Sequence, residues 1–352
     1  MPRPGFSFLS FMGAMLLVVL GMTVIGHGAP GLHEHDPSSM VSKEVLKRDL
    51  QLETLPRELF PGEVVLIRVR SHRGIVRMSA SLGKQKILFF SAQDKDVWMG
   101  LAGLDLDIPP GEQTLTYRAE FPDGIESSGT MILKVQKKEY PEERITVDKK
   151  YVHLSSKDLK RYKQEQKILD AIFSVQNPDR LWDHGFAVPL DVQSGSRFGL
   201  RRIINGEPRN PHSGTDLKAG TGTEVRASNA GQVVFAGDLF FSGNTVILDH
   251  GFGLYTLYAH LNDMTVGKGA AVNKGEIIGH VGATGRVTGP HLHWGAKLNG
   301  ARVDPFSLVM LPLLSGTPSG TVTSPEAQAP TDRGTDSPFL QGPGSDPGDE
   351  SR

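Results

Sequence analysis

Single glycines separate short apolar runs between residues 185 and 314, and this pattern argues against long helices in that part of the chain. The glycines that flank or interrupt these runs are at positions 231, 237, 243, 251, 253, 275, 279 and 282. Glycine is favoured where the backbone turns tightly or takes a positive φ. The block also lacks an apolar period of helical length. We therefore predict a glycine-rich, antiparallel and barrel-like β domain over residues 185–314.

A second series of short strand-like runs lies between residues 54 and 137. Strand-like runs extend from Val64 to Val69 and from Gln113 to Ala119, the second with alternating apolar and polar residues, and Pro-Gly or Asp-Gly pairs flank the runs. Period-two alternation with turn signals at this spacing is typical of a β-sandwich. We predict a mainly all-β protein with an N-terminal immunoglobulin-like sandwich, which carries no catalytic constellation.

The remaining segments are predicted as connections. Residues 30–53 have the composition of a linker, in which Lys43 to Leu52 could form a short helix. Residues 138–184 form a connector with a linker helix near 156–173, because Ser155 is a favourable N-cap and an apolar stripe follows it. Residues 315–352 contain mostly Gly, Pro, Ser, Thr and acidic residues, so we expect a disordered tail.

The N-terminal segment, residues 1–29, has the features of an export signal. Arg3 precedes an apolar run from Phe6 to Ile25, and small residues follow between Gly26 and Ala29. The run is close to the roughly 20 residues that span a bilayer, so an uncleaved membrane anchor is the alternative to a cleaved signal peptide. In both cases we expect an exported protein of the periplasm or cell envelope.

Charge and cysteine content limit the partners and the chemistry. The chain has 38 basic and 39 acidic residues, so it lacks the positive charge of a nucleic-acid-binding protein. It has no cysteine, which excludes disulfide bonds, thiolate zinc sites and a cysteine nucleophile. A metal site in this chain must therefore use histidine and carboxylate ligands.

Five residues of the glycine-rich domain form patterns typical of a metal site. His212 and Asp216 are four residues apart in a loop, and His260 ends a strand-like run. His291 and His293 are two residues apart, so on a strand both rings project from one face. A catalytic zinc ion takes three protein ligands and leaves a position for water. One histidine of the last pair can then bind metal while its neighbour acts on substrate.

Other residues near these motifs have less specific interpretations. Alternation places Tyr258 on the same strand face as His260, so Tyr258 either lines a cleft or packs in the core. His250 is interpreted as a structural hydrogen-bonding residue and His280 as a surface residue of the barrel. Arg201 and Arg202 remain candidates for cleft residues.

Taken together and in this order, the motifs resemble those of the lysostaphin-type, or LytM-like, zinc metallopeptidases, which are peptidoglycan endopeptidases. The resemblance covers roughly residues 195–308. It is carried by Arg197-Phe198-Gly199, His212 with Asp216, Gly231-Gln232-Val233, Asp249-His250-Gly251, Tyr258-Ala259-His260-Leu261, Gly275-Glu276-Ile277-Ile278-Gly279, Gly282-Ala283-Thr284-Gly285, Gly289-Pro290-His291-Leu292-His293 and Val303-Asp304-Pro305.

The resemblance implies a role for each of the five residues. His212, Asp216 and His293 would be the ligands of one Zn²⁺ per chain, and His260 and His291 would be the catalytic histidines. The implied activity is the hydrolysis of amide bonds in peptidoglycan stem peptides or cross-bridges through a zinc-activated water. The alternative is a non-catalytic cell-wall module of the same fold that activates a partner amidase. Peptidoglycan is the expected partner, and any protein partner in the envelope is unknown.

Overall fold

The computed structural model of the protein describes residues 42–46, 50–92, 94–145, 154–191, 198–208 and 210–311. The predicted signal segment, residues 1–29, and the predicted tail, residues 315–352, lie outside the described residues. Among the helices of the described ranges, none combines the length and the apolar character needed to cross a bilayer.

The N-terminal part of the described chain is a single antiparallel sheet of eight strands. Its strands are β1 (Ser42–Leu46), β2 (Leu50–Pro56), β3 (Val64–Arg70), β4 (Arg77–Leu82), β5 (Gln85–Ser91), β6 (Val97–Gly103), β7 (Gly111–Glu120) and β8 (Glu126–Val135). The order is β1-β2-β3-β6-β5-β4-β7-β8. The immunoglobulin-like sandwich is not confirmed, because one hydrogen-bonded path joins all eight strands. The short helix considered for Lys43 to Leu52 is wrong, since β1 and β2 pair there as antiparallel strands.

Strand β3 explains how this sheet takes part in two cores. Val65, Ile67 and Val69 point into the core between the two halves of the folded sheet. Val64 and Leu66 point the other way and are equally buried, against the C-terminal domain. A strand buried on both faces is expected to be a continuous apolar run, as this one is up to Arg68.

The C-terminal part is also built mostly from short antiparallel strands. Its elements are β9 (Glu142–Ile145), α1 (Ser156–Phe173), β10 (Arg201–Ile204), β11 (Glu207–Pro208), β12 (Gly214–Leu217), β13 (Glu224–Arg226), β14 (Gly231–Leu239), β15 (Gly243–Asp249), β16 (Leu254–Met264), β17 (Ala271–Val272), β18 (Ile277–Val281), β19 (Leu292–Leu298), β20 (Ala301–Val303) and α2 (Pro305–Val309). The main sheet has the order β12-β19-β16-β15-β14-β17, and β18 pairs with β13 and β16. A separate three-stranded sheet, β11-β10-β9, contains the one parallel pairing found among the described strands, β9 with β10.

Helix α1 lies against the C-terminal domain. Ser155 caps it, because its hydroxyl accepts a hydrogen bond from the Asp158 amide. Arg161 pairs with Asp238 at 2.7 Å, and the Glu165 carboxylate accepts the Phe240 amide. These polar contacts fix the helix, none of whose residues is fully buried.

The two parts of the described chain share a hydrophobic core. Residues of β3 and β6 pack there against residues of β16, β19 and β20, including Leu254, Leu298 and Val303. Ion pairs join the same parts at the edge of this core: Arg302 lies 2.6 Å from Asp105. Interfaces between domains allow relative motion unless they are large and apolar. This interface is apolar, so we expect the two parts to move as one body.

Candidate metal centre

Strand β19 lies in the middle of the candidate site, because it pairs with β12 on one side and β16 on the other. His293 is directly opposite Asp216 of β12 and Ala259 of β16. Its neighbours Leu292 and Trp294 are completely buried in the core of the domain. Side chains alternate along a strand, so His293 must point to the opposite face, where Asp216 meets it.

The structure brings His212, Asp216 and His293 together so that one atom of each forms a nearly equilateral triangle. His212 Nε2 lies 2.9 Å from His293 Nδ1 and 3.1 Å from Asp216 Oδ1. His293 Nδ1 lies 3.0 Å from Asp216 Oδ1. No other group of three histidine or carboxylate residues within the described residues meets the same criterion for holding a metal ion.

Glycine at position 214 is required by the His293 ring. A Cβ atom on Gly214 would lie 2.6 Å from both Cε1 and Nε2 of His293, closer than any real contact. The side chain of any other residue would therefore displace the ring from Asp216. The glycine between His212 and Asp216 serves the site by its small size rather than by a positive φ.

The electrostatics of the triangle favour a deprotonated Asp216 and a neutral His293. Burial alone would raise the pKa of Asp216, but hydrogen bonds to His212 and His293 outweigh burial and hold the pKa far below its ordinary value. Burial lowers the pKa of His293, although Asp216 opposes the shift. A deprotonated carboxylate and neutral imidazoles are the protonation states in which these groups bind metal.

His260 occupies an irregularity of β16. Its φ is +64°, a conformation that few non-glycine residues adopt, and the pairing of β16 with β18 shifts register just after it. The His260 amide donates to Ser242 O at 2.8 Å, and Nδ1 lies 2.9 Å from Thr284 O. Burial, opposed by the bond to Thr284, lowers the pKa of His260 to about 4. Backbone strain of this kind is concentrated at functional sites.

His291 stands just before β19 and faces His260. A bridge pairs it with Gly282, and the centres of the His260 and His291 rings are 4.9 Å apart. His291 Nδ1 lies 2.9 Å from Gly289 O, while Nε2 lies 3.8 Å from Asp216 Oδ1. In both histidines a backbone carbonyl accepts the Nδ1 proton. An imidazole that is neutral and donates from Nδ1 has an unprotonated Nε2.

The three converging atoms suit a zinc ion. Two imidazole nitrogens and one carboxylate oxygen are a known catalytic donor set, and tetrahedral ligands at roughly 2.0 to 2.1 Å from zinc are about 3.3 Å apart. The observed separations of 2.9 to 3.1 Å are slightly shorter. The donor chemistry and the mutual distances therefore fit a single ion bound by His212, Asp216 and His293.

The structure decides between the two interpretations of Tyr258, which is completely buried and packs in the core. Its hydroxyl accepts the Ser228 amide and lies 2.9 Å from Thr256 Oγ1. Alternation along β16 fails to relate Tyr258 to His260 because His260 has left-handed backbone. The sequence interpretation also missed Thr284, whose only signal was its place in a glycine-bounded motif.

The two candidate arginines are less informative. Arg201 is exposed at the start of β10, and its backbone amide donates to Pro141 O. The side chain of Arg202 lies outside the described residues. Arg201 and Arg202 therefore remain predictions as cleft residues.

Comparison with known proteins identifies similarity across the glycine-rich domain. Residues 210–305 match peptidase family M23. The DD-carboxypeptidase/endopeptidase Mpg of Neisseria meningitidis is 48% identical over 99 residues, which are 28% of this chain and 23% of Mpg. The peptidoglycan DD-endopeptidase ShyA of Vibrio cholerae is 41% identical over 152 residues, 42% of this chain and 35% of ShyA. The similarity thus spans about a third or less of either relative.

A solved structure extends the similarity to the N-terminal part. The crystal structure of a protein from Pseudomonas aeruginosa described as a peptidase M23 is 28% identical to this chain, with a TM-score of 0.56. The alignment covers 72% of this chain and 96% of that one. An alignment of that length reaches beyond residues 210–305, which match the family.

Proposed function

We propose that this protein is an exported zinc-dependent endopeptidase of peptidoglycan, because residues 210–305 match peptidase family M23. It hydrolyses amide bonds in stem peptides or cross-bridges. The observation that carries the proposal is the triangle of His212 Nε2, Asp216 Oδ1 and His293 Nδ1, with His260 and His291 beside it.

The metal would be held by His212, Asp216 and His293. When bound, zinc supplies a Lewis acid that polarises the scissile carbonyl and lowers the pKa of water toward about 7. Asp216 contributes a full negative charge, and the hydrogen-bonding geometry described above fixes its orientation. Asp216 and His293 lie on the paired strands β12 and β19 of the main sheet, and His212 lies in the loop before β12. Such positioning limits the reorganisation required during the reaction.

His260 and His291 are the acid-base groups of the proposal. Thr284 O and Gly289 O hold the two Nδ1 protons, so each Nε2 is available to take a proton from water. A protonated Nε2 can then donate to the leaving amine or hydrogen-bond the oxyanion of the tetrahedral intermediate. Acid-base catalysis of this kind typically contributes about 10²- to 10⁴-fold.

The relatives support the choice of substrate and of compartment. Mpg is named a DD-carboxypeptidase/endopeptidase and ShyA a peptidoglycan DD-endopeptidase. We therefore extend the proposal to the D,D bond of a cross-link. A peptidoglycan substrate lies outside the cytoplasmic membrane, which agrees with the export signal predicted at residues 1–29.

Replacement of one ligand tests the proposal. We expect the purified protein to contain one equivalent of zinc and to release shorter muropeptides from isolated sacculi, as resolved by chromatography. The variant His293→Ala should lose both properties. His280→Ala is the matched control, because His280 pairs with Asp263 at the surface and touches none of the five site residues. A wild-type protein that folds but has no affinity for zinc would overturn the proposal and favour the non-catalytic alternative.

A further inference from the structure

The loop that carries His212 is held by residues outside the matched family domain. His212 is the one metal ligand of the proposed function that precedes β12 instead of lying on a strand. Its backbone is fixed on both sides by the segment before β10: Gly199 N donates to His212 O at 2.8 Å, and His212 N donates to Leu200 O at 3.0 Å. The placement of His212 therefore depends on the placement of residues 198–200.

Residues 198–200 are in turn enclosed by Tyr140, in the segment that follows the N-terminal sheet. A Cβ atom on Gly199 would lie 2.0 Å from Cδ1 of Tyr140, so the ring of Tyr140 lies directly on the glycine backbone. The Tyr140 ring also meets the Phe198 ring edge-on, with 6.1 Å between their centres. The next residue, Pro141, accepts the Arg201 amide. Contacts on both sides thus keep this segment in one position.

Residues of the N-terminal sheet region also contact Tyr140 and Phe198. The Tyr140 hydroxyl donates to Pro61 O. A Cβ on Gly62 would lie 2.4 Å from Cε1 of Phe198, so the backbone at position 62 packs directly against that ring. Gly62 O accepts the Asp304 amide, and Gly62 N donates to Leu104 O.

A group of ion pairs connects the segment around Gly62 to the C-terminal domain. Glu63 is completely buried and pairs with Arg57 at 2.6 Å, and Arg57 also pairs with Asp304 at 3.1 Å. Lys138 lies 3.7 Å from Glu63 and 5.4 Å from the centre of the Tyr140 ring. Removal of one member of a buried ion pair is strongly destabilising, so this part of the junction resists displacement.

We propose that Tyr140 is a positioning residue for His212, and that the N-terminal sheet with its exit segment is therefore part of the metal centre. The inference rests on the proposed function, because it assumes that His212 binds zinc. Tyr140 does not touch the metal or the substrate. It acts by holding Gly199 and Leu200, whose backbone groups hold His212. Partners beyond the direct ligands typically affect metal affinity when they orient a ligand in this way.

Zinc affinity of the full chain, measured in competition with a chromophoric chelator, tests the inference. In Tyr140→Ala we expect the dissociation constant for Zn²⁺ to rise about 10- to 100-fold, the usual effect of losing a residue that orients a ligand. Tyr140→Phe keeps the ring on Gly199 and should remain close to the wild type. Leu133→Ala is the control for loss of stability, because Leu133 is buried in the core of the N-terminal sheet and takes part in none of the contacts described above. It should unfold at lower temperature with unchanged zinc affinity.

A readout that needs no metal separates positioning from general destabilisation. In the zinc-free protein, amide hydrogen exchange at Gly199 and His212 should be faster in Tyr140→Ala than in the wild type or in Leu133→Ala, because only the first variant frees their hydrogen bonds.

If Tyr140→Ala fails to fold, Gly199→Ala tests the same contact from the other side. Its added Cβ would strike the Tyr140 ring at a residue with φ +76°, and zinc affinity should again fall. A folded Tyr140→Ala or Gly199→Ala with wild-type zinc affinity and exchange would overturn the inference and leave the proposed function intact. Absence of zinc binding in the wild type would instead refute the proposed function itself.

Discussion

His250 and His260 lie in the same domain and share a low pKa, yet their surroundings differ. Burial lowers the pKa of both to about 4. His250 is fully enclosed, with Nδ1 2.7 Å from Ala230 O and Nε2 2.7 Å from Thr256 Oγ1. His260 uses Nδ1 in the same way, but its Nε2 has no hydrogen-bonding partner within the described residues, and its ring faces His291 and His293.

A lowered histidine pKa therefore reports burial and does not by itself identify a catalytic residue. Strongly shifted pKa values occur both at functional sites and in structural networks. What distinguishes the two residues is the second ring nitrogen, which is satisfied in His250 and open in His260. The backbone makes the same distinction, because only His260 has a positive φ.

The largest effect is expected from His260→Ala. Hydrolysis of sacculi should fall by about 10²- to 10⁴-fold, the usual contribution of an acid-base group. Zinc content should stay at one equivalent, because the metal ligands are untouched. The same assay on His250→Ala, at a temperature where that variant is folded, should show activity within a few-fold of the wild type. Equal losses in the two variants would erase the functional distinction between the residues.

The next largest effect is on stability, and here His250→Ala is expected to be the more damaging variant. His250→Ala removes the side-chain partner of Ala230 O and one of the two partners of Thr256 Oγ1, and it leaves a cavity at a fully buried position. We expect its free energy of unfolding to fall by about 2 to 5 kcal/mol. The control His280→Ala, at a partly exposed position with one ion pair, should change it by less than about 1 kcal/mol. Denaturant titration at pH 7 measures both values, and a His250→Ala variant as stable as the control would contradict the structural role.

Lowering the pH should reduce the contribution of His250 to the free energy of unfolding. The unfolded chain binds a proton near pH 6.5, whereas the folded chain does not until about pH 4. The unfolded state therefore binds more protons between these values, and the free energy of unfolding decreases as pH falls from 6.5 to 4. At about 1.4 kcal/mol per pH unit, the loss is about 3 kcal/mol. The stability difference between the wild type and His250→Ala should shrink by that amount. A difference independent of pH would show that His250 has the same pKa in the folded and unfolded protein, which would contradict the lowered pKa.

The smallest expected effect comes from the different backbone conformations at positions 260 and 250. Alanine at position 260 retains the unfavourable left-handed conformation, whereas glycine adopts it freely. His260→Gly should therefore be more stable than His260→Ala by about 1 kcal/mol. At position 250 the order should reverse, because glycine there only gains entropy in the unfolded chain. Thermal unfolding of the four variants shows which of Ala and Gly is more stable at each position. A more stable alanine variant at both positions would refute the backbone strain at His260.

Local sequence patterns predicted the elements of the site better than their exact geometry. His293 could be assigned to the cleft face because Leu292 and Trp294 alternate with it into the core. Alternation failed for Tyr258, since the left-handed residue at position 260 interrupts the strand, and histidine gives no signal of positive φ in a sequence. The small size needed at Gly214 was also hidden, because it depends on a ring 79 positions later.

The mostly β, antiparallel character of the chain followed from short alternating runs, but the topology of the N-terminal sheet did not. The order of its strands depends on pairings such as β3 with β6, which connect residues far apart in the chain. The junction between the two parts is more distant still: Arg302 and Asp105 are separated by 197 positions. Contacts of that range leave no periodicity in the sequence.

The shared core has a practical consequence for anyone who wishes to express the glycine-rich domain alone. Cutting the chain ahead of residue 185 would remove β3 and β6 and uncover the apolar surface formed by Leu254, Leu298, Ala301 and Val303. Contiguous apolar surfaces of this kind promote aggregation. Truncation would also take away Asp105, the carboxylate that now neutralises Arg302. A soluble fragment that contains the glycine-rich domain would therefore need to retain the N-terminal sheet or carry polar replacements along that face.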